Sequence, residues 1–101
     1  MKLNTPITSM PEFNAEGYAI PMDTCHLVFI KKGNGLLACG AFDIGALDKF
    51  NVPAAKITGV ATLEDLLDGT VVSVNQSGQA LGLTTGMTGR DALAQLPETD
   101  T

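Results

Sequence analysis

The chain has no tryptophan, one histidine, one tyrosine and two cysteines in 101 residues. A structural zinc site wants four thiolate or imidazole ligands, usually in two close pairs, and neither a C-x-x-C nor a second histidine exists here. No metal and no cofactor is expected. Basic residues are also few: six Lys and Arg stand against eleven Asp and Glu, a net charge of -5. Lys2, Lys31, Lys32, Lys49, Lys56 and Arg90 are scattered along the chain. Binding to phosphate backbones needs clustered positive charge, so nucleic acid is not an expected partner. Long apolar runs are missing as well. Nothing approaches the roughly 18 residues that span a bilayer. Asn4, Pro6, Pro11, Glu12 and Glu16 interrupt any signal-peptide core within the first twenty residues. A cytoplasmic protein with no membrane partner is the expectation.

What the chain has in plenty is apolar residues, 45% of the total, with 17% charged. That is too hydrophobic for disorder and poor in charge for a monomer of this length. One domain is expected, part of whose apolar surface is covered by a partner.

Strands are read at 3–8 and 17–22, each carrying a proline (Pro6, Pro21) that cannot donate to a ladder and so points to edge or bulged strands. The segments 25–32 and 35–41 flank "KGNG", the strongest hairpin signal in the chain. Ile44, Leu47 and Phe50 fall at helical spacing over 43–50, and 56–60 reads as a strand, so strand, helix and strand suggest a crossover onto a parallel neighbour. Val71, Val72 and Val74 mark a further strand. Thr62 with Asp65, and Thr88 with Asp91, have capping-box spacing ahead of leucine-rich runs, which predicts two helix starts. A shorter helix is read near 78–81. The fold class is α+β: a small mixed sheet with an N-terminal antiparallel β region and short helices packed on one face.

Chemistry has few candidates. Cys39 and His26 share a sheet face if Lys32 pairs with Gly35, which puts Cys39 opposite Val28. Val28 and Ile30 make that setting dry, and a dry thiol is unreactive, so Cys39 reads as a packed core residue before it reads as a nucleophile. His26 has no evident orienting partner for base catalysis. Asp43 caps the following helix or serves a site beside Cys39. "GNGLLACG" is not a dinucleotide fingerprint, because its glycines lead into a strand and not out of one. "GLTTGMTGR" runs into a helix N-terminus, where Thr85, Gly86, Thr88, Gly89 and Arg90 form a candidate anion cradle, although Asp91 competes for the same positive end.

The apolar hairpin ending in "CGAFD", then "TGVATLEDLLDG", a valine strand and "LGLTTGMTGRDALAQL" resemble the DUF1805 family of small bacterial and archaeal proteins. The resemblance covers the chain from about Gly17 onward. It implies a single domain, an N-terminal β region (about 3–42) that mediates tetramerisation, a mixed α/β part (about 43–96) and a short tail (97–101). It implies no reaction and no catalytic residues.

The residues lead toward self-association too. Leu27, Phe29 and Leu36 lie on one side of the hairpin, Val28, Ile30 and Leu37 on the other, and these six are the candidate interface. Helices at 43–50, 62–68 and 88–96 suffice for one face. An uncovered face exposes roughly 300–500 Å², whose burial at about 25 cal/mol/Å² gives on the order of 10 kcal/mol gross per subunit. The expected partner is therefore the chain itself, as a homotetramer with a binding or scaffolding role. The alternative is a small enzyme or ligand sensor whose site lies between subunits and draws on Cys39, Asp43, Thr88 or Arg90, with a small-molecule ligand of unknown identity.

Overall fold

The computed structural model describes residues 7–97. The strand expected from residue 3 lies outside that range up to residue 6, as do Pro6 and most of the tail. Six strands form one sheet whose spatial order is their order in the chain: β1 (Ile7–Met10), β2 (Ala15–Pro21), β3 (His26–Lys32), β4 (Gly35–Cys39), β5 (Ala54–Ile57) and β6 (Ser73–Val74). Neighbours are antiparallel except β4 and β5, the parallel pair that the crossover pattern predicts. Gly33 closes the β3–β4 turn at φ 56°, a left-handed conformation in which glycine has no Cβ penalty. The hairpin register is the expected one, with Lys32 opposite Gly35 and Ile30 opposite Leu37.

Several boundaries differ. β2 is an internal strand, not an edge. Pro21 is tolerated because it is the last residue of the ladder, opposite His26. β5 begins at Ala54 and ends before Gly59, whose φ of 74° turns the chain away. The valine strand shrinks to Ser73–Val74 because Val71 is buried in the core, exchanging hydrogen bonds with Met87 and Gly86 instead.

Three short α-helices occupy the C-terminal part, α1 (Leu63–Asp68) between β5 and β6, then α2 (Gln76–Gln79) and α3 (Gly89–Gln95) after β6. Thr62 and Asp65 form a reciprocal capping box, each side chain accepting from the other's backbone N–H. Thr88 caps α3 by accepting from the Asp91 N–H at 3.1 Å. α2 starts two residues earlier than the glycine spacing suggests, because Asn75 caps it through the Gly78 N–H.

α1 and α3 cover one face of the sheet. Leu66, Leu67, Ala92, Leu93 and Leu96 close over Val28, Ile30, Leu37, Cys39, Ala55 and Ile57 in the main core. Burying a leucine of this kind stabilises by roughly 2 kcal/mol. The two helices approach closely at Gly89, where an added Cβ would collide with the Leu66 carbonyl. The segment at 43–50 departs from the reading: it is a 3-10 turn over Ala46–Phe50, and it packs on the opposite face. Ile44 there closes over Ala38 and Ala54, with Leu47 and Leu36 at the margin. A continuous helix is prevented by its brevity and by Asn51, whose φ of 58° ends it.

Two buried polar side chains tie these layers together. The Asn75 amide donates to the carbonyls of Ile44 and Val52, each at 2.9 Å, and accepts from the Ala54 N–H at 3.0 Å and the Gly78 N–H at 2.8 Å. Lys32, at the end of β3, donates to the Leu93 carbonyl of α3.

Candidate functional site

Alternation along β2 and β3 sends Gly17, Ala19, Val28 and Ile30 toward the helices, and Glu16, Tyr18, Ile20, Leu27, Phe29 and Lys31 the other way. Across this second face the pairs are Glu16 with Lys31, Tyr18 with Phe29 and Ile20 with Leu27. The Tyr18 and Phe29 rings stack with centroids 4.8 Å apart and planes within 9°. Phe42 meets Phe29 edge-on at 5.2 Å. The 43–50 segment covers the β4–β5 part of this face, whereas over β2 and β3 Tyr18, Ile20, Leu27 and Phe29 stay partly exposed. Leu27 also touches the rim of the main core.

The six hairpin residues named from the sequence therefore divide. Val28, Ile30 and Leu37 have no exposed surface and belong to the core under the helices, so within the folded subunit they have none to offer a partner. Leu27 and Phe29 lie on the open part of the other face, and Leu36 on the same face at the margin of the cover given by 43–50. Tyr18 and Ile20 were not evident from the hairpin alone, because their place depends on the β2–β3 register. The "MDTC" connection contained that information, being an even loop between alternating strands. Tyr18 donates its phenolic hydrogen to Glu16 at 3.1 Å, and that bond, desolvation and the carboxylate's charge raise its pKa above the usual tyrosine value.

Cys39 is 4% exposed, among aliphatic side chains and paired in register with Ile57. Among the described residues no hydrogen bond links it to His26, which lies exposed at the start of β3. Cys25 is exposed and unbonded, so the two thiols do not meet. Asp43 accepts from the Ala46 N–H at 3.3 Å and shapes the turn that precedes the 3-10 segment. Among the described residues no three His, Cys, Asp or Glu side chains cluster as metal ligands would.

The glycine-rich loop before α3 is bonded into the fold. The Gly86 N–H donates to Val71 and the Gly89 N–H to Gly69, so these amides face the protein and not an anion. Thr88 is occupied as the cap of α3, and Thr85 is exposed beside a shallow hollow of about 380 Å³ with Val74, Gln79 and Leu83. Arg90 pairs with Asp68 at 3.2 Å, both more than half exposed, a contact of little energetic weight. Cys39, Asp43, Thr88 and Arg90 are thus parts of separate local structures within one subunit: core, turn, cap and surface pair.

A groove of about 480 Å³ opens where the ends of β1, β2 and β3 pass under the start of α1. Thr8, Ala19, His26, Ala61, Leu63 and Glu64 line it. No sequence signal pointed to it, since it depends on three strands and a helix meeting. No helix of the described residues is long and apolar enough to cross a membrane.

A family model described as a domain of unknown function, DUF1805, matches residues 38–96. The uncharacterized protein YunC of Bacillus subtilis (strain 168) is 28% identical over 81 residues, which cover 76% of this chain and 80% of YunC. The crystal structure of a protein of unknown function, TA1206, from Thermoplasma acidophilum superimposes with a TM-score of 0.81 at 24% identity, over 93% of this chain and 92% of that one. At that identity the likeness is one of fold.

Proposed function

We propose, from the premise that this chain belongs to the DUF1805 family, that it acts in the cytoplasm as a homotetramer with a binding or scaffolding role and catalyses no reaction of its own. The observation that supports self-association is the inequality of the two sheet faces. One is closed by α1 and α3, and the other leaves Tyr18, Ile20, Leu27 and Phe29 partly exposed over β2 and β3. Contiguous apolar side chains on one sheet face suit the apolar centre of a subunit contact.

A tetramer of dihedral symmetry needs a second two-fold contact. Among the described residues β1 is the edge of the sheet, and its outer side offers backbone donors and acceptors for one. The unbonded cysteines suit a reducing compartment. The net negative charge argues against nucleic acid as a partner. Within one subunit Cys39, Asp43, Thr88 and Arg90 stand apart, so the alternative, a small enzyme or ligand sensor, draws them together only between subunits.

Light scattering at micromolar concentration tests the assembly. The wild-type protein is expected to run as a tetramer, and Phe29→Lys as a smaller, folded species. Ile30→Lys places the charge in the core and is expected to unfold the subunit. A monomeric wild-type protein would sink the proposal.

A further inference from the structure

Resting on that reading, we infer that the open faces of two subunits meet about a two-fold axis parallel to the strands, so that Glu16 of each subunit pairs with Lys31 of the other. The arrangement follows from the cross-strand order. Glu16 and Lys31 are neighbours at one end of the strip, Tyr18 and Phe29 at its middle, and Ile20 and Leu27 at its other end. A two-fold axis running between β2 and β3 along the strand direction lays β2 of one subunit over β3 of its partner with like ends together. Carboxylate then faces ammonium twice, ring faces ring, and aliphatic faces aliphatic. A two-fold axis across the strands would instead lay the charged end of each strip on the Ile20 and Leu27 end of the other. That would press two charges from each subunit, four in all, against hydrocarbon, a costly arrangement. Face-to-face sheets pack with their strands roughly aligned, which both axes satisfy, so the charges decide between them.

The side chains suit this role. Although directly opposite, Glu16 and Lys31 do not bridge to each other. Glu16 accepts from Tyr18 at 3.1 Å, and Lys31 donates to the Gly33 carbonyl at 3.0 Å. Both are exposed at the end of the strip, within reach of a partner laid over it.

Charge reversal tests the register. Glu16→Lys and Lys31→Glu each turn two attractive contacts into two repulsive ones, and each is expected to weaken association at low salt by about tenfold or more. The double variant Glu16→Lys/Lys31→Glu restores both pairs and is expected to recover wild-type association to within about threefold. Thermal unfolding of each variant at a dilution that yields the free subunit separates loss of association from loss of fold. Singles that associate like wild type, or a double variant that fails to recover, would overturn this register while leaving self-association intact. A wild-type protein that does not associate would overturn both.

Discussion

The Nζ of Lys32, on the last residue of β3, donates to the carbonyl oxygen of Leu93 in the final turn of α3 at 2.7 Å. The lysine is 5% exposed, so its stem packs in the core while its head meets the negative end of the helix. Lys32→Ala removes both and is expected to cost about 2–3 kcal/mol of stability. Lys32→Met keeps the stem and relieves the burial of a charge, so it is expected to cost less than half as much. Urea unfolding of the two variants checks the order, and a methionine variant no better than the alanine one would contradict it.

Gly89 marks the tightest approach of α1 and α3. A Cβ there meets the Leu66 carbonyl oxygen and carbon and lies 3.1 Å from the Leu67 Cα, all backbone atoms that cannot rotate away. Gly89→Ala is expected to lose about 3 kcal/mol or more, or to leave the helices undocked. Gly59→Ala is the control. Its site is open, and the left-handed φ of 74° alone accounts for about 1–2 kcal/mol. Equal losses in the two variants, measured by thermal unfolding, would refute the assignment.

The acid limb of stability should carry the signature of two aspartates. Asp48 accepts from the backbone N–H groups of Ser77 and Gln76, and the Ser77 bond is the chief reason its pKa lies below the ordinary carboxylate value. Asp65 is lowered in the same direction, first by the Ala61 N–H and then by Thr62. A carboxyl whose folded pKa is depressed adds stability above its unfolded pKa of about 4 and loses that contribution as pH falls toward the folded value. Asp48→Asn should therefore lower the urea midpoint at about pH 6 while narrowing its distance from wild type at about pH 3. A gap that is constant across this range would exclude the linkage.

The two cysteines should differ sharply toward thiol reagents. Cys25 is exposed and should label in the native state, whereas Cys39 is buried and needs the sheet to open. Mass spectrometry after a short native pulse is expected to find one adduct, on Cys25, and two in denaturant. Rapid native labelling of Cys39 would overturn its assignment to the core.

The β3–β4 hairpin was legible because all its determinants are local. "KGNG" sets the turn, alternation sets the faces, and Ile30 falls opposite Leu37 as read. The caps at Thr62 and Thr88 were legible for the same reason, each being a four-residue pattern. Asn75 was not, since three of the four hydrogen bonds of its amide go to groups 21–31 residues earlier in the chain. The side taken by 43–50 was equally hidden. Ile44, Leu47 and Phe50 fit a helix stripe, but spacing within a segment does not tell which face of a distant sheet receives it. Tyr18 escaped because its stacking on Phe29 follows from pairing between strands, not from periodicity within one.

The strands stand side by side in the order in which they are synthesised. Each new strand needs to find only the one made just before it, which keeps the search short and lets the meander from β1 to β4 assemble while later residues are still being added. Cover for the helix side arrives in two parts, α1 ahead of β6 and α3 as the final element of the described chain. Until Leu93 and Leu96 dock beside Leu66 and Leu67, the face carrying Ile30 and Leu37 is only partly closed, while Tyr18 and Phe29 stay partly exposed on the other. A chain cut short before α3 is therefore expected to expose apolar side chains on both faces of the sheet, where the full chain leaves them partly exposed on one.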